Sequence, residues 1–318
     1  MTQGLITIFG GSGFVGRHLV RRLAAAGYRM RIAVRRPMDA RPLQPQGDVG
    51  QIVPVLCNVR SDSSVAAAID GAEVVVNLVG VLHSGGEQSF EALHEEAPAR
   101  IARLAGTAGV RRVVHVSALG ADLESPSAYA RSKARGEEAL RNAFPSAVVM
   151  RPSVIFGPED GFFNRFAALV RMLPAIPIFG DAPATAGATR LQPVYVGDVG
   201  AAIASVLQAS ASPGKIHALG GPDTMSVRQV FEYVMACTGR RRPFMPLPYA
   251  VAMAQATFLG MLPNPPLTRD QVRLLRIDNV VPAGALGLAD LGVVPTPVGS
   301  VVPGYLARFR RHAAVVTA

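Results

Sequence analysis

A chain of 318 residues, 49% of them hydrophobic, is long enough to bury one doubly wound domain plus a smaller lobe beside a cleft. Its 2 cysteines, Cys57 and Cys237, stand far apart without metal-ligand spacing, which excludes a disulfide framework and a zinc site and makes both expected core residues. The formal charge of +10 rests on scattered arginines, with Lys133 and Lys215 the only lysines, and no aromatic-interleaved basic stretch accompanies it; nucleic acid is excluded in favour of an anionic lipid, an acidic protein or an anionic cofactor.

The apolar run ITIF at 6–9 begins almost at the N-terminus, which predicts no signal peptide or transit sequence and a cytoplasmic protein. It leads into Gly10, Gly13 and Gly16 and then into the amphipathic run HLVRRLAAAG, in the order strand, glycine turn, helix. In a dinucleotide site the first glycine permits the tight turn, the second lets backbone approach the pyrophosphate, and the third packs helix on strand. The turn that holds Ser12, and the positive end of a helix starting near Phe14, favour a phosphate linkage.

The strand-like runs MRIAV, IVPVLCNV, EVVVNLVG, RVVHVSA and SAVVMRPS then alternate with helix-like stretches at Gly16 to Ala26, Ser61 to Ile69, Phe90 to Ala108 and Tyr129 to Phe144. Near-continuous apolar strands separated by helices predict an α/β fold, a doubly wound parallel sheet covered on both faces. After Arg151 the rhythm breaks into short strands such as KIHAL at 215–219 and the helices Ser226 to Cys237 and Thr268 to Arg276. The expected organisation is a Rossmann domain over 1–150 and a smaller mixed lobe over 151–318, partly interleaved with the sheet. Within the lobe, Pro243 to Thr268 carries no charge and follows Arg240, Arg241 and Arg242. Prolines 246, 248, 263, 265 and 266 confine any helix there to about fourteen residues, too short to span a bilayer. A helix buried in the lobe and an apolar face offered to a membrane surface or a partner both fit this stretch.

The second strand ends in Arg35 and Arg36, where an NAD-specific site carries an acid; guanidinium groups there predict NADP(H), pairing with the 2′-phosphate. Asn58, after the third strand, stands where an adenine-edge contact is expected. Tyr129 and Lys133 share one helix face, and with 6 Tyr and 2 Lys in 318 residues chance places only about 0.04 such pairs. An ammonium about 4 Å from the phenol supplies about 4 kcal/mol at an effective dielectric of about 20, enough to bring a tyrosine toward neutral pH. Ser117, ending the strand RVVHVSA, is a candidate to orient a substrate carbonyl, with Tyr129 as acid or base and Lys133 as its electrostatic partner and ribose ligand. His83 and Glu87, in the glycine-bearing loop after the fourth strand, read as surface residues, and Asp198 reads as a helix N-cap.

With GGSGFVG, VSALG, YARSKARGEE and RPSVIFGP, the chain resembles the short-chain dehydrogenase/reductase superfamily in its extended or atypical branch, over essentially its whole length. The run LTRDQVRLLRIDNVV after the uncharged stretch is similar in particular to the NADPH-binding accessory subunits of respiratory complex I and their bacterial relatives. That resemblance implies NADP(H) held for structure or assembly beside a quinone-reducing arm, complex I subunits as partners, and a peripheral position at the inner face of the cell membrane. It also implies Gly10, Gly13 and Gly16 at the pyrophosphate, Arg35 and Arg36 at the 2′-phosphate, and Ser117, Tyr129 and Lys133 as the superfamily triad. The Ser-to-Tyr spacing is shorter than in a typical sugar-nucleotide epimerase and CNV replaces an acidic adenine contact, so that chemistry loses weight. The intact Tyr and Lys pair keeps open a free-standing NADP-dependent reductase of a hydrophobic carbonyl or quinone-like compound, and an NADPH-sensing binding module is a third reading.

Overall fold

The structure, a computed structural model, describes residues 4–86, 88–208, 213–260 and 267–310. Its backbone forms two compact units: Met1–Pro152 with Val196–Gly220 and Val281–Pro295, and Ser153–Tyr195 with Gly221–Val280 and Thr296–Ala318.

The first unit comprises β1 (Leu5–Phe9), α1 (Phe14–Ala25), β2 (Arg29–Val34), β3 (Ile52–Leu56), α2 (Asp62–Ile69), β4 (Val74–Asn77), α3 (Ala97–Thr107), β5 (Arg112–Val116), α4 (Ala128–Ala143), β6 (Val148–Pro152), α5 (Val196–Gln208) and β7 (Ile216–Leu219). The strands form one parallel seven-stranded sheet in the order β7-β6-β5-β4-β1-β2-β3. Ile6, Ile8, Phe9, Val75, Val76, Val113, Val114 and Val149 are all buried, as a sheet covered by helices on both faces requires. Winding reverses between β1 and β4, which lie side by side, and that reversal opens a crevice at the carboxyl ends of the strands.

Two local expectations change. The stretch Phe90 to Ala108 is not one α-helix: a π-helix over Glu91–Glu96 precedes α3. Pro98 is the physical cause, because it has no N–H to give the His94 carbonyl and its ring crowds that oxygen. The turn widens instead, and the Ala97 amide bonds to the Ala92 carbonyl. Asp198 is not an N-cap, since the strand Val194–Tyr195 runs straight into α5 and leaves Asp198 buried within its first turn.

The second unit has its own core, with Phe156, Phe163, Val230, Val234 and Val302 packed among the helices Phe163–Met172, Val227–Thr238 and Val298–Leu306. Among the described residues its strands form two-stranded sheets. In the uncharged stretch the helix Tyr249–Leu259 buries only Ala252 and Ala256, which meet Val272, while Phe258 is 74% exposed. The buried-helix reading is thereby corrected: the contact face consists of alanines, and the larger apolar side chains Val251 and Phe258 face out. Prolines 263, 265 and 266 lie outside the described residues. Among the described residues no helix is long and apolar enough to cross a membrane.

Candidate functional site

Gly10, directly after β1, has φ +76°, and a Cβ there would stand 3.1 Å from the Leu78 carbonyl carbon. Glycine is thus selected twice, by the left-handed backbone and by the close approach of the loop after β4. Gly11, passed over in the sequence reading although its GG doublet signals it, has no more room: a Cβ would meet Ile32 Cγ2 at 2.9 Å. Gly13 is the exposed N-cap of α1, its amide donating to the Gly10 carbonyl at 3.0 Å. A Cβ on Gly16 would lie 2.4 Å from the Gly11 oxygen, so the third glycine packs the helix on the loop itself rather than on β1. Ser12 and Phe14 are half-buried; the Ser12 carbonyl accepts from Arg17 Nη1 at 3.0 Å, and the Phe14 ring stands edge-on to His18. The first-turn amides of α1 have no partners within the helix and form an anion-binding end.

The ends of β2 and β3 lie beside this turn, since the Gly10 amide donates to the Ala33 carbonyl at 3.3 Å and the Cys57 amide to the Val34 carbonyl at 2.8 Å. Arg35 and Arg36 are both exposed. Arg36 pairs with Asp39 at 3.1 Å, whereas Arg35 has no ion pair among the described residues and is the stronger candidate for a phosphate. Asn58 is more occupied than the sequence suggested. Its Oδ1 accepts from the Arg60 amide at 3.1 Å and from Arg60 Nε at 3.4 Å, an Asx turn that leaves only its NH2 group to offer an adenine edge.

Ser117 follows β5 with its amide donating to the Met150 carbonyl at 2.8 Å, and its buried Oγ has no hydrogen-bond partner among the described residues. Lys133 Nζ donates to the Val116 carbonyl at 3.4 Å, which brings the ammonium to the residue next to Ser117. Tyr129 lies one turn earlier in α4, whose N-cap Ser127 accepts from the Ala130 amide. Its ring meets Phe90 edge-on at 5.9 Å and His94 at 5.5 Å. One turn beyond Lys133, buried Glu137 accepts from Arg151 Nε at 2.9 Å and from Arg151 Nη2 at 2.6 Å.

Burial pushes Lys133 from 10.5 down to about 8, with the Glu137 carboxylate pulling it the other way. Burial also pushes the Tyr129 hydroxyl up to about 12, which corrects the expectation that Lys133 draws it toward neutrality. Burial disfavours the phenolate, and Tyr129 stands as a neutral proton donor at pH 7. The sequence reading also passed over two buried histidines that no motif flags. His115 Nδ1 pairs with Asn77 Nδ2 at 3.1 Å, and His94 bonds to the Val81 amide and to Ser132. Burial and then the Lys133 charge hold His94 at about 3 and His115 well below its ordinary range, so the lysine carries the positive charge of the group. His83 is exposed, and Glu87 lies outside the described residues. A glycine cradle that any Cβ would fill, an arginine at the end of β2 and an orphaned hydroxyl after β5 fit a phosphorylated dinucleotide and a carbonyl beside it.

Residues 6–220 match the NAD dependent epimerase/dehydratase family. The chain is 36% identical over 317 residues to mitochondrial NADH dehydrogenase (ubiquinone) 1 alpha subcomplex subunit 9 of Arabidopsis thaliana, covering 96% of this chain and 78% of that protein. It is also 36% identical over 294 residues to the subunit of the same name from Mus musculus, covering 92% of this chain and 77% of that one. Among solved structures, dTDP-glucose 4,6-dehydratase of Streptomyces venezuelae, with NAD bound, shares the fold at a TM-score of 0.71 and 19% identity, with 96% of each chain covered.

Proposed function

This chain belongs to the NAD dependent epimerase/dehydratase family, the extended branch of the short-chain dehydrogenase/reductase superfamily, and from that premise we propose that it is an NADP(H)-binding accessory or assembly subunit of respiratory complex I. The observation that carries this reading is the extent of the likeness to the plant subunit, which takes in 96% of the chain, whereas the family match ends at residue 220. Its partners are other complex I subunits, met from the inner face of the membrane. The exposed, uncharged helix Tyr249–Leu259, reached through Arg240, Arg241 and Arg242, suits that position and an anionic lipid surface.

In the cofactor site the unpartnered first-turn amides of α1 would hold the pyrophosphate, Arg35 would take the 2′-phosphate, the Asn58 NH2 group would meet the adenine, and Lys133 would bind the ribose. A bound nicotinamide supplies or accepts hydride. The chain's own contribution to such a step is a Ser117 hydroxyl free to donate to a carbonyl and a neutral Tyr129 able to release a proton.

The complete triad favours a second reading, a free-standing NADP-dependent reductase of a hydrophobic carbonyl or quinone-like compound. Tyr129→Phe separates the two, because it abolishes NADPH oxidation in a reductase and leaves assembly of complex I intact in an accessory subunit. The primary reading is tested on solubilised membranes resolved by native gel and probed with antibody. Co-migration with complex I is expected, and its absence across mild detergents overturns the reading.

A further inference from the structure

Between the loop after β4 and the first turn of α4 runs a directed chain of hydrogen bonds that the nucleotide site does not by itself require. The Val81 amide donates to His94 Nε2 at 3.0 Å; a backbone amide cannot accept, so the ring hydrogen sits on Nδ1. Nδ1–H then donates to Ser132 Oγ at 2.9 Å, and the Ser132 hydroxyl donates to the Tyr129 carbonyl at 2.8 Å. The same imidazole stacks on Phe90 at 5.1 Å, and both rings meet Tyr129 edge-on.

The loop closes over Lys133 as well. A Cβ at Gly80 would stand 3.1 Å from Lys133 Nζ and 3.5 Å from His94 Nε2, so ammonium and imidazole share one lid. The π-helix carries His94 to this place. Gly136 on α4 makes room for it: a Cβ there would fall 1.7 Å from the His94 carbonyl oxygen. The titratable groups facing Lys133 are Glu137 on α4, His94 from the π-helix and His115 on β5, with Tyr129 one turn before it.

We propose that His94 is a positioning residue that ties the loop after β4 to the first turn of α4, and so holds the Tyr129 ring and the Lys133 ammonium in one arrangement. This rests on the reading of Tyr129 and Lys133 as the pair that meets cofactor and substrate. An imidazolium there would lose the Val81 bond and face Lys133, so His94 works only in its neutral form.

The test uses the full chain and two substitutions. Imidazole nitrogen resonances are expected to place hydrogen on His94 Nδ1, with no titration between about pH 5 and about pH 8, where an ordinary histidine titrates. With only Lys133 and Lys215 present, a lysine carbon label gives Lys133 its own titration, expected near about 8. His94→Ala admits water over the ammonium, raises that midpoint by at least about one unit, and weakens NADPH binding about tenfold. His94→Gln carries an amide oxygen to the Nε2 position, where it can accept from the Val81 amide and keep the loop tied, and restores NADPH affinity to within about threefold of the parent. Hydrogen on Nε2, an ordinary His94 titration, or a His94→Ala chain with an unchanged Lys133 midpoint overturns the proposal. So does His94→Gln binding as weakly as His94→Ala, which would leave ring bulk as the sole cause. A parent chain that takes up no NADPH overturns the functional reading alone, because the tautomer and the Lys133 midpoint are read without nucleotide.

Discussion

Replacing Lys133 by Met is expected to stabilise the chain at neutral pH while weakening its hold on NADPH. Burial lowers the ammonium from 10.5 to about 8. At about 1.4 kcal/mol per pH unit, keeping it charged costs the folded chain about 3 kcal/mol. Because the folded value is the lower one, the unfolded chain takes up the proton first as pH falls; stability present above about 10.5 is lost by about 8 and stays lost below it. Met keeps the stem and drops the charge. It also drops the 3.4 Å bond to the Val116 carbonyl, worth about 1 kcal/mol, which leaves a net gain of about 2 kcal/mol at pH 7. Near pH 10.5 the gain vanishes and the lost bond makes the variant the weaker chain. Urea unfolding followed by far-ultraviolet circular dichroism at both pH values measures the difference. A Met variant less stable than its parent at pH 7, or a difference equal at the two pH values, refutes the reasoning.

Further outcomes follow from the same geometry. Gly16→Ala drives a methyl group into the Gly11 backbone and is expected to cost at least about 2 kcal/mol in urea unfolding; a neutral result means the helix and turn do not pack as described. Arg35→Asp should lower the ratio of NADPH to NADH affinity by at least about 30-fold, whereas Arg36→Ala, whose guanidinium already engages Asp39, should change it less than about 3-fold; titration calorimetry reads both. Phe258→Asp, at a position 74% exposed, should alter unfolding stability by less than about 0.5 kcal/mol and still reduce recovery of the chain with the membrane fraction; undiminished recovery removes that helix from the docking surface.

The alternation of apolar strands with amphipathic helices made the parallel sheet legible, because a strand buried on both faces has no polar side to alternate with. The glycine turn was legible for the same kind of reason, since a left-handed φ at Gly10 and the contact of Gly16 with Gly11 leave few other residues possible. Side-chain electrostatics were not. A spacing of four on a helix places Tyr129 near Lys133 but carries no information about how deeply each is desolvated, and desolvation set the sign of the Tyr129 shift. His94 was hidden because its role depends on a π-helix, which follows from the one missing amide of Pro98 together with the gap left by Gly136 across the fold. The uncharged helix stayed open between two readings because a helix apolar on every side says nothing of which face packs, and here the packed face is alanine.

Everything assigned to Gly10, Arg35 and Lys133 requires that the folded chain take up a pyridine dinucleotide, and calorimetric titration with NADPH and with NADH puts that requirement to the test. The expected result is saturable uptake of both, with NADPH the tighter and its advantage lost in Arg35→Asp. Saturable uptake of neither, by a chain shown to be folded, contradicts it.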